Sequence, residues 1–86
     1  MFKYKSSGDV VLSDKGTASK AYTNVTENPW ISLSFANDGN ATITLTIGSM
    51  SIDILAGETF DENFESFTGI TVTIVTTGSY RLMLRS

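Results

Sequence analysis

Carboxylates are the main side chains in this sequence that could do acid–base chemistry. The chain has 86 residues with no histidine and no cysteine, which excludes Ser-His-Asp and Cys-His arrangements and the usual zinc sites. A glycosidase pair could be drawn from an acidic cluster, but acid catalysis needs a carboxyl with a raised pKa in a formed pocket. A chain this short has little interior for one, so we predict that it is not an enzyme. The cluster comprises Glu58, Asp61, Glu62 and Glu65.

Two segments have the oxygen-rich composition that calcium prefers. Residues 37–40 read Asn-Asp-Gly-Asn, yet a turn explains their glycine and asparagines. Residues 58–65 carry the charge but have no recognisable ligand spacing. We therefore predict no metal and no cofactor.

Trp30 is the residue best suited to bind a sugar. It follows Pro29, begins a predicted strand and lies two residues after Asn28. An exposed indole face would pack on the C–H surface of a sugar while an amide binds hydroxyls. Strand alternation places Trp30 opposite the face of Ile31 and Leu33, which favours exposure. Tryptophan at a strand end is more commonly buried, and both alternatives stay open.

Charge is distributed unevenly along the chain. The net charge is −3, from 6 basic and 9 acidic residues. Residues 1–20 contain four lysines, including Lys3 and Lys5, whereas residues 21–65 contain no basic residue. No clustered basic face is expected, so nucleic acid is not a predicted partner. The acidic middle is either a solvated rim or a complement to a basic neighbour in an assembly.

The N-terminal region differs from the rest of the chain. No apolar stretch follows Met1, so we expect neither a signal peptide nor a membrane span. The absence of cysteine favours synthesis in the cytoplasm. Residues 1–86 are expected to form one domain, with residues 1–8 as a loosely held edge or an arm because residues 1–28 are poor in apolar positions.

Short strands must position these side chains. Residues 41–47 and 50–55 alternate apolar and polar positions and meet at Gly48-Ser49, a pair typical of a type II′ turn. The turn and the alternation predict one register. Its apolar pairs are Ile47–Met50, Leu45–Ile52 and Ile43–Ile54, and its polar pairs are Thr46–Ser51 and Thr44–Asp53.

Two more hairpins are predicted from three-residue loops that end in glycine. These are Asn37-Asp38-Gly39 and Thr76-Thr77-Gly78, each with glycine at the left-handed position of a bulge. Gly39, Gly48 and Gly78 are therefore expected to have positive φ. The strands predicted to pair through these loops are 30–36 with 41–47, and 69–76 with 79–85.

The pattern as a whole predicts an all-β fold, a small antiparallel β-sandwich of seven to eight strands with a jelly-roll or Ig-like arrangement. Residues 61–67 allow one helical turn at most, with three phenylalanines filling the core under a crossover loop. The predicted strands are 9–12, 19–23, 30–36, 41–47, 50–55, 69–76 and 79–85, with short pieces at 2–5 and 58–60. The predicted core is Ile43, Leu45, Ile47, Ile52, Ile54, Val72, Ile74, Leu82 and Leu84.

Residues 57–84, GETFDENFESFTGITVTIVTTGSYRLML, resemble small β-modules that recur in structural proteins of tailed phages and prophages of Gram-positive bacteria. Those modules combine a strand ending in a Gly-Glu turn, an F-x-x-F loop and a Thr/Val-rich hairpin that closes on Tyr-Arg. The matching residues are Gly57, Glu58, Phe60, Phe64, Phe67, Val72, Tyr80 and Arg81.

The resemblance implies a virion structural protein, such as a capsid decoration or tail-associated module. Such a protein is made in the host cytoplasm, acts through contacts with other virion proteins and is expected to be a homo-oligomer. The alternative is a carbohydrate-binding module that recognises a cell-surface receptor through Trp30. The residues expected to contact a partner or ligand are Trp30, Asn28, Asp61, Glu62, Lys3 and Lys5.

Overall fold

The computed structural model describes residues 10–24 and 29–86. Eight strands and no helix occur in these two segments. The predicted arm at 1–8 and the predicted strand at 2–5 lie outside them. The strands are β1 Val10–Gly16, β2 Lys20–Thr23, β3 Trp30–Asn37, β4 Ile43–Ile47, β5 Met50–Ile54, β6 Thr59–Phe67, β7 Gly69–Thr73 and β8 Tyr80–Arg85.

The strands form two four-stranded sheets. Sheet A has the order β1-β8-β3-β6 and sheet B the order β2-β7-β4-β5, with antiparallel neighbours throughout. Among these strands, only β4 and β5 are consecutive within one sheet, and every other connection crosses to the opposite sheet. This strand order is that of an eight-stranded jelly roll. The predicted all-β sandwich is confirmed, in its jelly-roll form.

The core lies between the sheets and follows the alternation of the central strands. Leu33, Ile43, Leu45, Val72 and Leu84 are completely buried. The predicted core residues are buried except for two that are half-buried and pack against the cluster, Ile52 and Ile74. The buried apolar residues absent from the predicted core are Tyr22, Trp30, Leu33, Phe35, Ile70 and Tyr80.

The β4–β5 hairpin has the predicted register at all five pairs. Gly48 has a φ of 60°, and Ser49 does not have positive φ, as a type II′ turn requires. On the outer face, Thr44 Oγ1 donates to Asp53 Oδ1 at 2.9 Å, and the Thr46 and Ser51 hydroxyls lie 3.2 Å apart. The register predicted from the turn residues and the alternation is confirmed.

The predicted pairing of β3 with β4 is wrong, because residues 38–42 carry the chain from sheet A to sheet B. Asn37 is 1 % exposed, and its side-chain amide donates to the carbonyls of Ala41 and Ile54. Its Oδ1 accepts from the N–H of Gly39 at 3.0 Å, which makes a side-chain turn. Gly39 does not have the predicted positive φ.

The predicted pairing of β7 with β8 is wrong for the same reason. β7 pairs with β2 and β4, whereas β8 pairs with β1 and β3. Gly78 does not have positive φ. A Cβ at this position would lie 3.0–3.2 Å from the Ile74 side chain, so close packing explains the glycine.

Residues 59–67 form the nine-residue strand β6 instead of the predicted crossover loop. Trp30 is opposite Phe67 and Ser32 is opposite Asn63, so residues 64–66 face a single residue of β3. This bulge changes the phase of the alternation. Phe64 and Phe67 therefore both pack against the core although they are three residues apart, as does Phe60.

Candidate functional site

Three carboxylates lie on β6, at one edge of sheet A, and we call Asp61, Glu62 and Glu65 the acidic edge. All three residues are exposed. Asp61 is opposite Ser34 on the outer face of the sheet, and Glu62 is opposite Leu33 on the inner face. None of the three side chains forms an ion pair or hydrogen bond with another residue of the described segments. The structure thus brings two of the predicted contact residues together on a strand edge.

Trp30, the predicted sugar platform, is buried. It is 3 % exposed, and its ring lies 5.7 Å from that of Phe67, tilted by 59°. The buried alternative is the one that the structure shows, because the bulge between β3 and β6 turns the indole toward the core. The other predicted contact residues, Asn28, Lys3 and Lys5, lie outside the described segments.

A shallow trough of about 620 Å³ crosses the outer face of sheet A. Its floor contains the small β3 side chains Ser34 and Ala36, and its walls include Met83 and Arg81 of β8 and Asp61 of β6. The trough exists because short side chains on β3 lie between longer ones on both neighbouring strands. Its charged groups have both signs, so it does not select one sign of ligand.

Asp38, from one of the segments considered for calcium, forms an ion pair across a loop. Arg81 Nε and Nη2 donate to the two carboxylate oxygens of Asp38 at 2.6 and 3.0 Å. This bidentate contact lowers the pKa of Asp38 and raises that of Arg81. The carboxylate that could have bound a cation is thus satisfied by the guanidinium.

A hydrogen-bonded cluster joins the two sheets at the β1–β2 end. Tyr22 of β2 donates its hydroxyl to Asp14 Oδ2 at 2.7 Å, and the Tyr80 hydroxyl lies 2.7 Å from that of Tyr22. Because Tyr22 donates to the carboxylate, Tyr80 donates to Tyr22. Lys20 Nζ completes the cluster at 3.1 Å from Asp14 Oδ2.

The cluster shifts the pKa values of Asp14 and Tyr22. The Tyr22 hydrogen bond, followed by that of Lys20, lowers the pKa of Asp14. Burial, followed by the contacts with Tyr80 and Asp14, raises the pKa of Tyr22. Tyr22 is therefore neutral and Asp14 ionised near neutral pH, which suits a structural link.

Residue types alone did not identify this cluster. The predicted first strand ended at residue 12, and β1 continues to Gly16. With the longer strand, Asp14 lies two residues beyond the half-buried Leu12 and therefore points inward. A carboxylate at an inward position of a strand needs a hydrogen-bond partner. Asp14 at such a position is the sequence feature that could have indicated the cluster.

Two further structural findings concern the described segments. No group of three or more acidic side chains within residues 10–24 and 29–86 is arranged to hold a metal ion. No helix long and apolar enough to cross a membrane is present in the same segments.

Comparison with known proteins identifies similar folds. No protein-family model matches the chain, and no curated protein matches it significantly. A cupin-2 domain protein from Shewanella frigidimarina aligns over 99 % of this chain and 85 % of its own, with a TM-score of 0.54 and 11 % identity. A chain of the disulfide-linked pili that form Bacillus endospore appendages aligns over 99 % and 96 %, with a TM-score of 0.53 and 14 % identity. Both similarities support the jelly-roll fold.

Proposed function

We propose that this chain is a non-catalytic structural module of a phage virion, such as a capsid decoration or tail-associated protein, and that it acts through protein–protein contacts. The observation that carries the proposal is the exposed apolar start of β1. Val10 and Val11 are 49 % and 54 % exposed on an edge strand of sheet A. Exposed apolar side chains on a strand edge are typical of surfaces that another chain covers.

The position of these valines supports an anchor at the N-terminus. They directly follow residues 1–9, which contain Lys3 and Lys5. A basic segment next to an apolar edge has the composition of a surface that docks on an acidic neighbour. The resemblance of residues 57–84 to phage structural modules suggests which assembly contains that neighbour.

A filament is the second candidate assembly. The observation that favours it is the fold shared with the Bacillus pilus chain over 99 % of the present chain. The present chain has no cysteine, so such a filament would be held together without disulfides. In either assembly, the sandwich is the rigid body and the N-terminal segment is the anchor.

Co-sedimentation with assembled particles tests the proposal. We expect the full chain to pellet with purified virions and the chain without residues 1–7 to remain largely in the supernatant, with both proteins folded. Negative-stain electron microscopy of the full chain alone would reveal filaments if the second candidate is correct.

Carbohydrate binding is the outcome that would contradict the proposal. A chain that is monomeric, does not co-sediment with particles and binds an oligosaccharide would be a receptor-recognition module. Trp30→Ala is unsuitable for this test because the buried indole contributes to stability. Binding measured on a glycan array with the unaltered protein avoids that problem.

A further inference from the structure

We propose that the free edge of β6 receives the N-terminal segment, residues 1–9, of a second copy of this chain. The inference rests on the proposed assembly function and specifies its interface. β6 is the longest strand in the described segments and pairs there with β3 alone. Its other side therefore presents backbone groups that can pair with an added strand.

The backbone pattern identifies the groups available for pairing. The Asn37 N–H donates to the Glu58 carbonyl at 2.9 Å. Backbone N–H and C=O groups of successive residues point to opposite sides of a strand. The backbone groups of Phe60 and Glu62 therefore point toward β3, whereas those of Thr59 and Asp61 point toward the free edge. An extended segment can thus continue sheet A beyond β6.

Charge selects the occupant. The acidic edge repels the same edge of another copy, which disfavours β6–β6 pairing. The N-terminal segment has the complementary charge, since Lys3 and Lys5 precede its single acidic residue, Asp9.

The side-chain alternation of the two segments also matches. In an extended conformation, residues 2 and 4 of the N-terminal segment share one face and Lys3 and Lys5 share the other. Those even positions are Phe2 and Tyr4. On β6, Phe60 points toward the core side and Asp61 toward the outer face. One orientation therefore places aromatic rings beside Phe60 and lysines beside Asp61, both favourable cross-strand pairs.

A second copy fits the edge better than the chain's own N-terminus. β1 and β6 are opposite edges of sheet A, three strand spacings or about 14 Å apart. Val10 is level with Arg85, Ser32 and Asn63, the middle residue of β6. The chain's own segment would spend about half of its residues crossing the sheet, and it would run parallel to β6 where it lies beside Thr59 and Asp61. A segment from another copy can pair antiparallel, like every other strand pair in the sheet.

Such pairing is head-to-tail, because the donated segment and the accepting edge are different surfaces. Heterologous contacts of this kind produce rings or open filaments. Both are forms that a virion or pilus component takes, which connects this interface to the proposed function.

Charge reversal in two separate variants provides the test. Variant one is Lys3→Glu with Lys5→Glu, and variant two is Asp61→Lys with Glu62→Lys. We expect each variant alone to self-associate at least about tenfold more weakly than the unaltered chain in sedimentation velocity. An equimolar mixture of the two should recover association, because each N-terminal segment then meets an edge of opposite charge. Recovery on mixing cannot arise from segments that pair within their own chain.

Two further variants separate charge from backbone pairing. Asp53→Lys lies on β5 in sheet B and matches the charge change of Asp61→Lys, so it should leave association nearly unchanged. Thr59→Pro removes an N–H from the free edge without changing charge and should weaken association while the unfolding transition persists.

The outcomes distinguish the interface from the proposed function. If the full chain assembles and both charge-reversed variants assemble equally well, the interface is wrong and the assembly function stands. If the full chain stays monomeric at all concentrations and does not pellet with particles, the interface and the assembly function are both wrong. Failure of the mixture to recover association also overturns the interface.

Discussion

The hydroxyl of Tyr22 connects three strands through two short hydrogen bonds, one to Asp14 of β1 and one from Tyr80 of β8. Tyr22→Phe removes both bonds and leaves two buried or half-buried polar groups without their partner. We expect it to lower the free energy of unfolding by about 1–3 kcal/mol, measured by urea denaturation. Tyr80→Phe is the matched control and should cost less, because the Tyr22–Asp14 bond remains. Equal costs would contradict the assignment of Tyr22 as the donor to Asp14 and of Tyr80 as the donor to Tyr22.

Acid should weaken the fold through two carboxylates. The pKa values of Asp14 and Asp38 are both lowered from the ordinary 3.8. A lowered folded-state pKa stabilises the protein above the ordinary value, and this stabilisation is lost as pH falls through the lowered value. The urea midpoint should therefore fall between about pH 5 and about pH 2. The slope should be shallower for Asp14→Asn and for Asp38→Asn, and an unchanged slope in both would contradict the assignment.

The two faces of β4 should respond differently to substitution. Leu45 is completely buried, whereas Thr46 faces outward and contacts Ser51. We expect Leu45→Ala to cost about 2–5 kcal/mol through lost burial and the resulting cavity, and Thr46→Ala less than about 1 kcal/mol. Ile52 is half-buried, so its truncation should cost less than that of Leu45. Similar losses at Leu45 and Thr46 would mean that both faces are buried.

At the level of elements, the turn between β5 and β6 depends on a glycine for which the sequence interpretation did not predict positive φ. The Glu58 N–H donates to the Leu55 carbonyl at 3.0 Å, and Gly57, with a φ of 79°, is the third residue of that turn. A turn with positive φ at this position is type II. Gly57→Ala should cost about 1–2 kcal/mol in unfolding free energy from backbone strain alone, since a Cβ there meets no atom within 4 Å. Gly57→Asn should cost less because asparagine tolerates the left-handed region, and the reverse order would contradict this explanation.

Sequence alone predicted one hairpin completely and two incorrectly. The β4–β5 turn is local, so its residues determine the pairing of the strands that they join. The connections after β3 and β7 cross between sheets, and alternation cannot show which sheet receives a strand. Asn37 and Gly78 suit a tight hairpin as well as a sheet-crossing loop, and tertiary contacts decide between them.

β6 illustrates why an edge strand is difficult to recognise. Phe60, Phe64 and Phe67 are four and three residues apart, and the bulge allows all three to pack against the core. The same spacing is typical of a helical turn. The apolar–polar alternation of β6 is also weak, because both faces of an edge strand are partly exposed to solvent and can carry carboxylates. Asp61 and Glu62 were identified as contact residues from their charge, but their place on a free strand edge required the assembled sheet.

For the whole molecule, the N-terminal segment should be dispensable for folding. The buried core is formed by residues of β2 to β5, β7 and β8, and the first described residues, Val10 and Val11, are exposed. We expect removal of residues 1–7 to leave the far-UV circular dichroism spectrum all-β and the thermal midpoint changed by no more than about 4 °C. A large loss of stability would mean that the segment belongs to the chain's own core.

Sedimentation velocity of the full chain and of the chain without residues 1–7, over a range of concentrations, tests assembly through the N-terminus most directly. The full chain should form species larger than a monomer that increase with concentration and decrease with added salt. The shortened chain should remain a folded monomer under the same conditions. Identical sedimentation of the two proteins, whether as monomers or as oligomers, would contradict assembly through this segment.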